Sequence, residues 1–428
     1  MSALRKLLTF TALAVFGVAG CSAGAEYGSG DAKKPAAPAA GPARSLSSRI
    51  PHDPPAWFDT AGEVVLPPEA TKNRMNLLGN QMSTLPVALH KTSSYVASAD
   101  RMQTVDLTTG SVRAVVQAQG KPFRGDDTEA SAPLVVTDSG TVLTAFLLTQ
   151  PGSGTQSAST VLEVAAASAE SGEPLWRTTV RLPDWFASST GRVQASVIGA
   201  GRSTAVVSVQ TSRSVLGHEV VAYGVDLTGH RLAWTQPDLK VTAVTAETAA
   251  GLLLVQDGDY QVPVGHDLAT GNEKWRGKQT FGASLEPAGA SLVRARGNLD
   301  GKKYDQLTSP HTGEVQRPLP PEAAGLSCSH DQAVTLVFSD PFRVIAVDPV
   351  SGQLLWQLHD GQDGRKAPTV KAVWHGRIYG TTANGAVTLD ARTGKDMPTR
   401  PEVAPILVNE FSGVVLKGGV LSSYPAGG

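Results

Sequence analysis

A short unit recurs seven times along this chain and limits what it can fold into. Its fullest form reads Asp-x-x-Thr-Gly-x-x-x-Trp. The copies are centred on Asp106 and Gly110; on Ser171, Gly172 and Trp176; on Asp226, Gly229 and Trp234; on Asp267, Gly271 and Trp275; on Ser309 and Gly313; on Asp348, Gly352 and Trp356; and on Asp390 and Gly394. Successive glycines stand 62, 57, 42, 42, 39 and 42 residues apart. A supersecondary unit that returns about every 42 residues has the size of one four-stranded propeller blade.

The residue types explain the unit. A carboxylate at the end of a strand accepts hydrogen bonds from the N–H groups of the turn that follows. Glycine then takes a positive φ without a Cβ penalty. The next strand carries a tryptophan four residues after Gly172, Gly271 and Gly352, and five after Gly229. A ring at that place can pack between neighbouring sheets. Three copies lack it and carry Ala114, Arg317 and Pro398 instead.

The remaining strands of each unit are visible as apolar runs broken by turns. Val373–Gly380 and 383–389 read as a hairpin around Asn384-Gly385. Runs at 334–338 and 344–348 repeat the theme, and the two long intervals contain hairpin extensions, at 142–164 and around 212–218. Near the C-terminus, 406–408, 413–416 and 420–422 read as three strands of an incomplete blade. A strand at Glu63–Leu66 could complete it and remove an open sheet edge. The expected fold is therefore all-β, a propeller of four-stranded blades: eight if the closing blade is shared between the two ends, seven if the C-terminal strands only finish the first.

Ahead of the repeats, Arg5 and Lys6 precede an apolar stretch from Leu7 to Val18, and Val18-Ala19-Gly20-Cys21 follows. Positive start, apolar middle and small residues make an export signal over 1–20. The closing tetrapeptide resembles the lipobox of bacterial lipoproteins, in which the cysteine, here Cys21, is acylated. Residues 21–56 are rich in Ala, Gly, Pro and Ser and read as a disordered tether; 57–428 is the propeller. These readings place the protein on the outer face of a cell membrane, held by lipid. If Cys21 is acylated, Cys328 has no partner for a disulfide.

The repeat is similar to the tryptophan-docking repeat, A-x-D-x-x-T-G-x-x-x-W, of the PQQ-like or quinoprotein-type β-propellers, over roughly residues 85–400. The resemblance implies the fold but not the activity, because that superfamily holds both PQQ-dependent dehydrogenases and non-catalytic lipoproteins, among them an outer-membrane barrel-assembly factor. The resemblance would bring calcium-binding ligands, an Asp base and often adjacent cysteines to the enzymes; no adjacent cysteine pair is present here.

The residues themselves show no catalytic constellation. The nine histidines are scattered, no CxxC, P-loop or G-x-S-x-G occurs, and Asp257-Gly258-Asp259 and 360–364 lack the spacing of a calcium loop. The repeat aspartates 106, 226, 267, 348 and 390 read as structural, and Cys328 as a core filler. A formal net charge of −1 gives no reason to expect a nucleic-acid partner. Trp57-Phe58, Trp374 and Trp185-Phe186 fall outside the repeated positions. Each covers a blade edge or, for Trp185 and Phe186, offers an apolar contact to a partner. The expected function is a monomeric, non-catalytic scaffold without cofactor that binds another envelope protein. The alternatives are a PQQ- or metal-dependent oxidoreductase and a sensor of small ligands or glycans.

Overall fold

The computed structural model describes residues 49–71, 85–155, 157–213, 220–255, 260–289, 291–332, 334–361, 364–399 and 401–428. The signal segment, Cys21, most of the tether, and the turns at 257–259 and 362–363 lie outside them. So does most of the loop expected near 212–218.

The described chain is a succession of antiparallel meanders. The strands group into sheets over 87–117, 121–181, 190–237, 239–318, 327–359, 369–390 and 407–427. The 239–318 sheet has eight strands, because ladder pairs Tyr260↔Phe281 and Gln261↔Thr280 fuse two consecutive meanders. Central strands are apolar on both faces. Thr141–Gln150, for example, buries seven consecutive residues. Such a strand lies inside a stack of sheets, with neighbours on either side.

Clusters of buried side chains join each sheet to the next. Tyr95 and Met102 meet Phe146 and Val161; Leu143 and Val164 meet Val193 and Val207; Val206 and Ala222 meet Leu239 and Val264. Leu252 then meets Leu285 and Val293; Leu307 meets Phe338 and Ile345; Val337 and Val344 meet Ile378 and Leu389; and Tyr379 meets Val408 and Tyr424. A last cluster returns to the start, setting Val414 and Leu421 against Val87 and Val96. Sheets that pack in sequence and come back to the first form a ring, so the fold is a β-propeller.

The ring is tied where the sequence placed its closure. Val64 and Val65 pair with Ser423 and Ser422, and Trp57 and Phe58 extend the same edge against Gly427 and Ala426. Phe58 is fully buried and meets the Tyr379 ring edge-on at 5.6 Å. The folded body begins earlier than the expected boundary at Trp57. His52 N–H donates to Glu410 O (2.7 Å), Ala56 N–H to Gly427 O (2.7 Å) and the Tyr379 hydroxyl to Pro55 O (2.7 Å), so 52–56 pack on the propeller rather than extend the tether. The run expected as one strand over Val373–Gly380 is also divided, by a turn at His375-Gly376 between Thr369–Trp374 and Arg377–Thr382.

Antiparallel alternation gives the ring two distinct ends. In each repeated unit the strand before the turn finishes at an Asp- or Ser-headed turn. The hairpins joining first to second strands share that turn end. Those joining second to third strands lie at the opposite, tip end.

Candidate functional site

The repeated turns are structural, as their sequence implied. Asp106 Oδ1 accepts from Thr108 N–H (2.8 Å), Asp348 Oδ1 from Val350 and Ser351 N–H (2.7 and 3.0 Å), and Asp390 Oδ1 from Arg392 and Thr393 N–H (3.1 and 2.7 Å). Asp267 Oδ1 receives the Thr270 N–H and hydroxyl, both at 2.9 Å. Ser309 Oγ serves His311 and Thr312 in the same way, and Ser168 Oγ serves Glu170 and Ser171. The residue heading the second unit is therefore Ser168, three positions before Ser171.

Each docking ring crosses to the following unit. The indole N–H of Trp234 donates to Leu268 O (2.9 Å), that of Trp275 to Pro310 O (3.0 Å) and that of Trp356 to Ala391 O (2.9 Å). These rings lie on Gly271, Gly313 and Gly394, where an added Cβ would stand 2.5–2.6 Å from ring carbons. Glycine is required there twice over, since φ is +72°, +72° and +68°. A small residue stands opposite each ring across the ladder: Gly224 for Trp234, Gly265 for Trp275, Ala346 for Trp356 and Ala166 for Trp176.

The third unit corrects the sequence reading. Its left-handed residue is not Gly229 but His230, with φ +51°. His230 is four residues after Asp226, as Gly271 is after Asp267, and Trp234 is four residues after His230. Counting from the aspartate removes the apparent five-residue interval. Trp176 accordingly docks on an imidazole, stacked at 4.6 Å and 14° on His230. Where tryptophan is missing, Ala114 and Thr104 approach Gly172, and Arg317 lies against Gly352.

The Trp185-Phe186 pair does not form an exposed partner contact. Phe186 is 0% exposed in the short helix Asp184–Ser188, and Trp185 is half-buried against it, edge-on at 5.7 Å. Both belong to a raised rim at the tip end. Strands Thr141–Gln150, Ser159–Ser168, Thr190–Ala200 and Thr204–Arg213 run ten or eleven residues, whereas Ser93–Ala97 and Arg343–Val347 run five. One inserted segment stitches the long sheets together. Lys121 and Pro122 pair with Thr149 and Leu148, and Thr128 and Glu129 pair in parallel with Val193 and Gln194.

Polar groups brace this rim. The Arg124 guanidinium donates to Gly191 O (2.8 Å) and to Ser189 O, and lies 4.9 Å over the Phe123 ring. Arg192 donates to the buried Glu129 carboxylate (2.8 Å). Gln210 donates to Gln194 Oε1 (3.1 Å), and Gln194 to Ala130 O (3.2 Å). Glu163 is buried; desolvation pushes its carboxyl up from the ordinary value, against the opposing pull of Arg177 and the Gln119 N–H. Outside these groups the inserted segment presents Lys121, Gly125, Asp126 and Asp127 to solvent.

Two further residues bear on chemistry. Burial pushes the Cys328 thiol up to about 12, far from the thiolate a nucleophile needs. Arg294 is fully buried, forks onto Asp305 (2.8 and 2.5 Å) and donates to Leu326 O (2.6 Å) and Ala323 O (3.0 Å). It latches the loop between two sheets, a role that one of two arginines in the strand Val293–Leu299 did not announce. Among the described residues no group of three or more His, Cys, Asp or Glu side chains could hold a metal.

No family model matches the chain, and no curated protein matches it. Solved structures similar to it include a europium-containing methanol dehydrogenase at 11% identity, covering 75% of this chain and 78% of that one with a TM-score of 0.41. A structure of the eukaryotic initiation factor is similar at 8% identity, covering 73% and 87% with a TM-score of 0.39. Apo AztD from Citrobacter koseri is similar at 15% identity, covering 73% and 95% with a TM-score of 0.35. Likenesses this distant say nothing about activity.

Proposed function

We propose that the protein is a lipid-anchored, non-catalytic propeller that binds another envelope protein through the raised rim. The observation that supports this is the local surplus of structure. Strands outside this region run no longer than eight residues, so the ten- and eleven-residue strands at 141–168 and 190–213, with the inserted 121–129, exceed what closure needs. Extended hairpins on a rigid scaffold are where binding surfaces are commonly built. Acylation of Cys21 would hold the body near a membrane, with the intervening segment spanning roughly 30 Å if it behaves as a flexible chain.

The test is cross-linking in native membranes with three proteins: the full-length chain, a variant with 151–158 replaced by a two-residue turn, and Cys21→Ala. The reading expects one reproducible envelope protein with the full-length chain, lost in the shortened variant while its melting temperature is unchanged. Equal recovery from the shortened variant, or no recovery from any of the three, refutes it.

A further inference from the structure

The turn end of the ring carries a second feature, away from the rim. The innermost strands of three consecutive meanders, Leu134–Val136, Thr190–Ala200 and Leu239–Val244, finish side by side there. Between their ends lies a cleft of about 420 Å³. That volume falls within the range of small-molecule sites, about 300–1,000 Å³. Leu134, Val136, Val244 and Ala246 contribute apolar surface to a lining that is on balance polar.

Two side chains of opposite sign stand on its border. Asp138 projects from the turn Thr137–Ser139, and Arg202 from the turn between Ala200 and Thr204. Both are exposed, and among the described residues neither side chain makes a hydrogen bond or ion pair. Most of the repeat aspartates behave differently, their carboxylates being consumed by turn N–H groups. The local turns also satisfy themselves without Asp138 or Arg202. Gly140 N–H donates to Thr137 O, and Gly201 N–H to Thr204 O.

We infer that this cleft binds a small zwitterion with a branched apolar body, such as an amino acid or short peptide. A carboxylate would take the forked guanidinium of Arg202, an ammonium the carboxylate of Asp138, and an aliphatic side chain the apolar surface of the valines. Ligands lacking either charge would forfeit one pair.

The probe is leucyl-leucine, compared with its N-acetyl and C-amide derivatives, with binding read by titration calorimetry on the full-length protein. The dipeptide is expected to bind, with Arg202→Ala weakening it about tenfold, the loss of one charge pair of about 1.4 kcal/mol. Arg202→Ala should leave the weaker C-amide derivative unaffected, and Asp138→Ala should spare the N-acetyl one. Both positions are exposed turn residues, so folding is checked by an unchanged melting temperature. Val244→Trp, which fills the cleft, should abolish binding. Absence of heat for the dipeptide at millimolar concentration, or binding that survives both charge removals, overturns the inference. Because this site lies at the end opposite the rim, its failure leaves the rim reading standing.

Discussion

Two parts of the ring solve the same packing problem differently. From Trp234 to Gly394 apolar clusters of at most nine buried residues are supplemented, at three joins, by a ring docked on a left-handed glycine and held by an indole hydrogen bond. Between the 121–181 and 190–237 sheets the join is broad instead. Eighteen buried residues form one cluster there, and the Trp176 ring only stacks on His230. A docked ring adds to the smaller apolar area that the shorter strands offer. Long strands bury enough apolar area to make docking secondary, at about 25 cal/mol per Å². The join where a tryptophan only stacks is also the one that carries the rim.

The largest expected effect comes from removing a ring on each side of this divide. Trp234 is 6% exposed and hydrogen-bonded, so Trp234→Ala should destabilise by about 3–5 kcal/mol in denaturant unfolding. Trp176→Ala should cost roughly half as much, since that ring is half-buried and its neighbours remain packed. Equal losses would erase the distinction between docked and broad joins.

Acid should separate the two kinds of turn next. The backbone N–H groups of Gly229 and Thr228 hold the Asp226 carboxyl below its ordinary value, the Thr270 hydroxyl and N–H do so for Asp267, and the Ser351 N–H for Asp348. Each carboxylate therefore titrates lower folded than unfolded. Its contribution is complete above the ordinary value of about 3.9 and disappears as pH falls through the lowered folded value. The heading residues of the other two turns, Ser168 and Ser309, are serines and carry no ionisable group. Combined Asp226→Ser, Asp267→Ser and Asp348→Ser should lower the melting temperature at pH 6 yet reduce its fall between pH 6 and pH 3. An undiminished fall would place the acid sensitivity elsewhere.

The smallest effect is the most diagnostic. His230→Gly relieves a positive φ worth about 1–2 kcal/mol in a non-glycine residue but forfeits a stacked pair worth about 0.5–1.5 kcal/mol. A net change within about 1 kcal/mol is expected by denaturant unfolding. A large loss would make the imidazole a true docking partner rather than an occupant of the glycine position.

Local chemistry made the repeat legible. Asp106, Asp267, Asp348 and Asp390 each announce a turn within five residues, and Val64-Val65 is an apolar pair in the right place to close the ring. The exception, Gly229, shows the weakness of matching letters. The Thr-Gly pair was present, but the chain turns left-handed at the fixed distance from Asp226, one residue later. In sequence the Trp185-Phe186 pair reads equally as a blade-edge cover or a partner contact, because nothing nearby shows Phe123 against Phe186 at 5.7 Å. The rim and the cleft were invisible for the same reason. Asp138, Arg202 and Val244 are brought together only by the order in which sheets pack.

The pairing of Val64 with Ser423 also has a consequence in time. The two partners are separated by about 360 residues of synthesis. At roughly 5–20 residues per second, a ribosome needs tens of seconds to deliver the second after the first. Throughout that interval the nascent chain holds an unpaired β-edge at its front and cannot become circular. Only the finished polypeptide can lock, so an interrupted one is left as an open arc, recognisable to whatever proteases and chaperones patrol newly made proteins.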